Sequence, residues 1–145
     1  MSRLIGFVTG TTLLLVVGAC QREAFRPEAI DQDYLTLGKG GGIANQVDTY
    51  YVLADGYAYH HNRLEKTYQE LGRIARPDRT RTFRRAAALA DSVADFQEPG
   101  NIYYFLTIRT PDTTHAYTWG SNGFDPPKAI TTLHQDIQTL IQRLP

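Results

Sequence analysis

Cysteine, methionine and tryptophan are almost absent from the 145 residues, and each occurs once. With a single cysteine, the chain can form neither an internal disulfide nor a zinc site built on cysteines. Serine is also scarce, and neither Ser92 nor Ser121 stands in the Gly-x-Ser-x-Gly pattern that exposes a nucleophile on a sharp turn. These absences exclude the usual sequence patterns of cysteine-based metal proteins and of serine hydrolases.

An excess of either charge is lacking too, because 15 basic residues balance 15 acidic ones. Proteins that bind nucleic acid usually carry a clear positive excess, so we expect no nucleic-acid partner. Hydrophobic residues make up 42% and charged residues 21% of the chain. That balance is typical of a globular domain rather than of a disordered chain, and the length suits one domain.

The first 20 residues follow the order of a bacterial export signal. Arg3 gives a positive start, residues 4–17 are mostly apolar, and small residues precede Cys20. The apolar stretch is shorter than the roughly 20 residues that a membrane-spanning helix needs. The pattern therefore favours a cleaved signal over a transmembrane anchor.

The segment Val17-Gly18-Ala19-Cys20 resembles the lipobox of bacterial lipoproteins. The resemblance implies that residues 1–19 are a signal peptide and that Cys20 carries acyl chains such as palmitate. Each buried methylene contributes about 0.8 kcal/mol, so two or more chains hold a protein stably on a membrane. Gln21 is not the aspartate that keeps some lipoproteins at the inner membrane. We therefore predict a cell-envelope protein, with the outer membrane favoured over the inner one.

Residues 20–33 are polar and contain Pro27, so we predict the lipidated cysteine followed by a tether. A flexible tether of this length would reach about 20 Å on average, and a fully extended one about 50 Å. Residues 34–145 would then form a single domain that stays close to the lipid.

Within residues 34–145, the periodicity of apolar residues predicts strands followed by a helix, and then the same again. Strands are predicted at 34–37, 47–53, 57–60, 102–108 and 115–119, with Asp55-Gly56 as a hairpin turn. Residues 67–74 fit a further edge strand or a helical turn, and we favour the strand. Residues 78–94 form an apolar stripe at helical spacing that includes Phe83 and Ala87, and residues 130–144 form another. Helices with one apolar face need a sheet to cover. We expect an α+β fold, with an antiparallel sheet of hairpins and two helices packed on one face.

The run Pro99-Gly100-Asn101-Ile102-Tyr103-Tyr104-Phe105, followed by Trp119-Gly120 and a closing helix, provides a second resemblance. It is similar to a group of small lipoproteins of unknown function from Bacteroidota, which share a Pro-Gly-Asn-x-Tyr-Tyr-Phe signature. The resemblance implies a lipoprotein and assigns no activity and no site residues.

A basic stretch is the most distinctive charge feature of the chain. On a domain held near lipid, its arginines would suit lipid phosphates or an acidic polysaccharide, because the guanidinium group matches such anions. The alternative is a solvated entry to the first helix, with partners among nearby carboxylates. The candidate anion-binding surface comprises Arg73, Arg76, Arg79, Arg81, Arg84 and Arg85.

Aromatic residues are concentrated on the predicted strands. Where several share the face away from the helices, they would suit a peptide or a sugar. The alternative is cross-strand pairing that stabilises an exposed sheet. The candidate aromatic surface comprises Tyr50, Tyr51, Tyr103, Tyr104 and Trp119.

Two further motifs suggest chemistry only at first sight. His60 and His61 are adjacent on a strand and point to opposite faces, so they cannot easily share one metal ion. Residues 39–42 lack the Gly-Lys-Ser/Thr ending of a phosphate-binding loop, which favours a glycine-rich turn. We therefore predict no metal site and no cofactor.

Taken together, these patterns predict a membrane-anchored envelope lipoprotein whose domain is not an enzyme. We expect a binding or accessory module whose partner is an envelope protein or a glycan. The alternative is an enzyme acting on an envelope component, since carboxylates that are separate in sequence can pair in space. The sequence does not indicate an oligomeric state.

Overall fold

The structure, a computed structural model, describes residues 24–145. Within that range one open sheet of seven strands is covered by two helices, which confirms the predicted α+β fold. A 3-10 turn, Pro27–Ala29, precedes the sheet. The elements in chain order are β1 (Tyr34–Gly41), β2 (Gln46–Leu53), β3 (Tyr57–Asn62), β4 (Thr67–Arg73), α1 (Arg76–Ser92), β5 (Phe96–Gln97), β6 (Ile102–Arg109), β7 (Thr114–Trp119) and α2 (Lys128–Gln142).

The strands lie in the order β4-β3-β2-β1-β6-β7-β5. All neighbours are antiparallel except β5, which runs parallel to β7. The predicted strand at 67–74 is β4, which forms one edge of the sheet. The run at 102–108 becomes β6, which lies inside the sheet between β1 and β7. Leu106 and Ile108 on one face of β6 are buried, whereas Tyr103, Phe105 and Thr107 on the other face are only partly buried.

The Asp55-Gly56 turn joins β2 to β3, as its sequence predicts. Gly56 has a φ of 100°, a backbone conformation that glycine adopts without steric cost. The Asp55 carboxylate accepts a hydrogen bond of 3.0 Å from the backbone N–H of Tyr57. This turn fixes the register of the hairpin and hence which side chains share a face.

Both helices pack on one face of the sheet, which we call the helix face. Strand residues such as Leu35, Leu37 and Leu106 meet α1 and α2 there in a single core. The buried side of α2 is the predicted one, and it includes Ile130, Leu133 and Ile137.

Helix α1 differs in detail from the prediction. Its buried residues are Thr82, Ala86 and Leu89, whereas Ala87, placed on the predicted apolar stripe, is exposed. Alanines occur all round this helix, so their spacing does not define one apolar side. Leu89 provides the larger apolar surface and sets which side faces the sheet.

Strand β1 is longer than its predicted extent, because it continues through the glycines to Gly41. Gly38 lies opposite Phe105, and Gly40 lies opposite Tyr103. A Cβ atom on Gly40 would come within 2.5 Å of the Tyr103 ring. Aromatic rings thus cover these glycines across the strand pair, which compensates for their missing side chains.

Residues 24–33, predicted as part of the tether, lie against the domain. Phe25 packs on the face of the sheet away from the helices, which we call the outer face. The Gln32 side chain accepts a hydrogen bond of 3.0 Å from the backbone N–H of Asp55. The N-terminal segment therefore covers part of the outer face over β2, β3 and β4.

Candidate functional site

The outer face carries a compact group of rings that we call the outer aromatic cluster, comprising Phe25, Tyr51, Tyr59 and Tyr68. Tyr51 and Tyr59 are direct cross-strand partners, and Tyr68 lies on the neighbouring edge strand. The Phe25 ring stacks on Tyr59 and meets Tyr51 and Tyr68 edge-on, at centroid distances of 5.6 Å and 5.2 Å. Edge-on and offset-stacked contacts are the favourable geometries for aromatic pairs.

Burial in this cluster raises the pKa of Tyr51 to about 12, and the neighbouring Tyr68 hydroxyl contributes further. The Tyr51 hydroxyl therefore stays protonated at any physiological pH and acts as a hydrogen-bonding group. It is not poised for acid–base chemistry near neutral pH.

The five residues of the candidate aromatic surface are not brought together. Tyr51 and Tyr103 lie on the outer face, because they alternate with the core positions of β2 and β6. Tyr50, Tyr104 and Trp119 lie on the helix face. Sequence alternation predicts such a division but does not show which half faces solvent.

On the helix face, His134 of α2 fills the space between two of these rings. Its ring meets Tyr104 at 5.9 Å and Trp119 at 5.2 Å, in both cases edge-on. The Nε2 atom lies 3.2 Å from the carbonyl oxygen of Gly38. Burial lowers the pKa of His134, and the bond to Gly38 opposes that shift. His134 is thus a neutral core residue that donates Nε2–H to the sheet.

The open part of the outer face extends over β1, β6 and β7. It presents threonine hydroxyls beside two aromatic rings, and Thr36 lies directly opposite Thr107. Hydroxyls and ring faces together suit a sugar or an extended peptide. This open strip, as we name it, consists of Thr36, Tyr103, Phe105, Thr107 and Thr118.

The structure gives four of the six arginines in the basic stretch a partner within the domain. Arg73 and Arg79 both donate to the backbone carbonyl of Asp55, and the Arg73 bond is 2.9 Å long. Arg81 pairs with Asp78 on the same helix.

Arg85 bridges the two helices through Asp136, with 2.5 Å between its Nη1 and the carboxylate. Arg76 and Arg84 are exposed and have no ion pair among residues 24–145. The candidate anion-binding surface stays a prediction that now depends chiefly on these two side chains.

Two histidines pair with aspartates, which the sequence analysis did not anticipate. His60 Nε2 lies 2.5 Å from Asp48 Oδ1, and His115 Nδ1 lies 3.0 Å from Asp95 Oδ1. The register set by the Asp55-Gly56 turn places Asp48 and His60 diagonally on one face, so the hairpin contained the signal for the first pair.

The Asp48–His60 pair lines a wide cleft of about 790 Å³ between the ends of the β1–β2 and β3–β4 hairpins. The Tyr50 ring stacks on His60 at 4.8 Å. Burial raises the pKa of Tyr50, and the charge of Asp48 and a hydrogen bond to it contribute as well. The carboxylate can orient the imidazole, and an oriented imidazole can move a proton.

The glycine-rich turn behaves as a turn within residues 24–145. The backbone N–H of Gly42 donates to the carbonyl of Asn101 at 2.8 Å, and that of Asn45 donates to Gly42 at 3.0 Å. These N–H groups are engaged with the protein and do not converge on an anion.

No group of three potential metal ligands among His, Cys, Asp and Glu comes together in the described part of the chain. As for membrane crossing, neither α1 nor α2 combines the length and the apolar character that a spanning helix requires. The lipobox residues Val17, Gly18 and Ala19 and the predicted lipidation site Cys20 lie outside the described residues.

Comparisons with protein-family models and with curated proteins give no match for this chain. Its function is therefore argued from its own residues and geometry.

Proposed function

We propose that the chain is a bacterial envelope lipoprotein, held on a membrane by lipid on Cys20, with a small non-catalytic binding or accessory domain. The observation that carries this proposal is the apolar, small, small, cysteine order of residues 17–20, in a chain with no other cysteine. A positive start and a short apolar run precede it, as export requires. The Pro-Gly-Asn-x-Tyr-Tyr-Phe signature at residues 99–105 supports the same class of protein.

The position of Phe25 supports a domain that sits directly on the membrane. Phe25 packs on the sheet only five residues after Cys20. Five residues span at most about 18 Å, so an anchor at Cys20 would hold the domain against the lipid headgroups. We favour the outer membrane, because Gln21 occupies the position where an inner-membrane aspartate would stand.

The open strip is the surface that we propose for a partner. It is the part of the outer face that residues 24–32 leave uncovered, and it carries hydroxyls beside the Tyr103 and Phe105 rings. An envelope glycan or an extended peptide segment of an envelope protein fits this chemistry.

Intact mass and membrane fractionation of the native protein test the anchor. We expect the wild type to begin at Cys20, to carry acyl mass and to fractionate with membranes. A Cys20→Ala variant should stay uncleaved and unacylated. A Gln21→Ala variant is the matched control, because it changes the neighbouring residue and keeps the thiol. A wild type with a free Cys20 thiol and no acyl mass would overturn the proposal.

The Asp48–His60 pair supports a second candidate function, an enzyme acting on an envelope component. The pair lines a cleft of about 790 Å³ and includes an imidazole that a carboxylate orients. Binding of envelope glycans and their turnover should be measured together in wild type, His60→Gln and Asp48→Asn. Turnover that both variants abolish would favour the enzyme, whereas binding without turnover in all three favours the non-catalytic module.

A further inference from the structure

Three large aliphatic side chains are exposed among residues 24–145, and all three lie at one end of the sheet. Ile43 is fully exposed, Leu64 is 84% exposed and Ile102 is 46% exposed. Ile43 lies in the turn between β1 and β2, Leu64 in the turn between β3 and β4, and Ile102 begins β6 beside Gly41. We call this end of the sheet the tip end. A single exposed leucine is ordinary, but several at one end mark a contact surface.

The two turns are held in defined positions. The Arg63 guanidinium of one turn donates to the carbonyl of Asn45 in the other at 3.0 Å. The Asn62 side chain accepts hydrogen bonds from the backbone N–H groups of Leu64 and Glu65. Ile43 and Leu64 are therefore carried by two turns that are fixed at the same end of the sheet.

The course of the N-terminal segment points toward the tip end. Gln32 bonds to Asp55 at the opposite end of the sheet, whereas Phe25 lies over Tyr59 and Tyr68. Traced toward its N-terminus, the chain thus runs along the outer face in the direction of the tips. Leu64 is four residues from Tyr68, a separation of at most about 14 Å.

Phe25 stands five residues after Cys20 in the sequence, a separation that spans at most about 18 Å, and over this length an anchor at Cys20 would reach the tip end. The turn around Leu64 contains the basic residues Arg63 and Lys66 and one acidic residue, Glu65, so it carries a net positive charge that suits lipid phosphates. Arg73 and Arg79 lie at the opposite end, on the Asp55 carbonyl, so the basic stretch starts on the far side from the tips.

We propose that Ile43 and Leu64 enter the headgroup region of the phospholipid bilayer that carries Cys20, and so fix the orientation of the domain. This inference rests on the proposed lipid anchor. With the tips down, the strands stand away from the membrane and the open strip faces sideways, where an envelope partner can approach it.

Site-directed spin labelling of the acylated protein tests the orientation, since acylation consumes the only native thiol. Ile43→Cys and Leu64→Cys are labelled with a nitroxide and reconstituted in vesicles of phosphatidylethanolamine and phosphatidylglycerol. Thr80→Cys, near the start of α1, and Thr132→Cys, on the exposed side of α2, are the matched controls. Collision rates with dissolved oxygen and with a water-soluble nickel chelate report whether each label lies in lipid or in water.

We expect the oxygen-to-nickel ratio at residues 43 and 64 to exceed that at residues 80 and 132 several-fold. Labels at 43 and 64 that collide freely with nickel, or that are shielded from both reagents as by a protein partner, would overturn the inference. The intact mass of each preparation distinguishes a failure of the proposed orientation from a failure of the proposed anchor. Acylated protein with water-exposed tips refutes the orientation alone, whereas absence of acyl mass refutes the anchor and the orientation together.

Discussion

The Phe25 ring stacks on the Tyr59 ring with 3.9 Å between their centroids and 8° between their planes. Phe25 belongs to a polar segment, and Tyr59 belongs to strand β3. Their contact joins the N-terminal segment to the outer face, and so determines where the chain leaves the domain. An anchor upstream of Phe25 would therefore act on a defined side of the sheet.

We expect Phe25→Ala to lower the free energy of unfolding by about 1–3 kcal/mol, because the substitution removes a half-buried ring and its aromatic contacts. Residues 24–32 should then become accessible to proteases while the sheet stays folded. Urea denaturation measures the first effect, and limited proteolysis of the folded protein measures the second.

Arg26→Ala is the matched control, since Arg26 is the exposed neighbour of Phe25 and has no place in the ring stack. It should change the free energy of unfolding by less than about 0.5 kcal/mol. If Phe25→Ala were as stable and as resistant to proteases as Arg26→Ala, the segment would not be held by the stack.

His134 makes the stability of the domain depend on pH. Its folded pKa is lowered by burial, so on acidification the unfolded chain binds a proton before the folded one does. This contribution to stability is complete above the ordinary histidine pKa of about 6.5 and is lost progressively as the pH falls below it. We expect the free energy of unfolding to fall between pH 7 and pH 5, as urea denaturation at a series of pH values would show.

The comparison with His134→Gln isolates that contribution. Glutamine can still donate to the Gly38 carbonyl but does not titrate. The His134→Gln variant should therefore lose less stability than the wild type over the same pH range. Thr132→Gln, at an exposed position of the same helix, should follow the wild-type curve. Equal slopes for wild type and His134→Gln would contradict the assignment.

The glycines of β1 should differ in their tolerance of a methyl group. A Cβ on Gly38 would overlap the backbone carbonyl of Asp48, which cannot move without disturbing the sheet. The atoms nearest to a Cβ on Gly40 would belong to the Tyr103 side chain, which can turn away. We expect Gly38→Ala to cost about 3 kcal/mol or more and Gly40→Ala about 1 kcal/mol, measured by thermal or urea denaturation. Equal losses of stability in the two variants would contradict the view that the Asp48 backbone, rather than an aromatic ring, sets the tolerance of β1 for a side chain.

Much of the fold follows from local sequence. The Asp55-Gly56 turn, the apolar run of β6 and the stripe of α2 each act through neighbours in the chain, so their patterns predict them. Strand β5 has only two residues, Phe96 and Gln97, and gains its hydrogen bonds from distant β7. No periodicity exists in two residues, so the sequence did not predict it.

The candidate site was harder to predict, because it depends on contacts between distant residues. Phe25 is the one aromatic residue in a polar segment, and nothing in its neighbours indicates Tyr59 as its partner. The alternation of β2 places Tyr50 and Tyr51 on opposite faces, but only the packing of the helices decides which face is covered. The arginine stretch likewise gave no sign that Arg73 and Arg79 both bind the Asp55 carbonyl.

Arg79 and Arg84 therefore separate a structural role from an anion-binding one within the same stretch. Arg79 of α1 donates to the Asp55 carbonyl in the β2–β3 turn, whereas Arg84 is exposed and has no ion pair among the described residues. We expect Arg79→Ala to lower the free energy of unfolding by about 1–2 kcal/mol, and Arg84→Ala to change it by less than about 0.5 kcal/mol. If the stretch binds anionic lipid, Arg84→Ala should weaken binding of the acylated protein to soluble lipid phosphates without loss of stability. If Arg84→Ala changed neither stability nor phosphate binding, the stretch would have a structural role and no anion-binding role. Apart from Arg76, its other arginines are already paired within the domain.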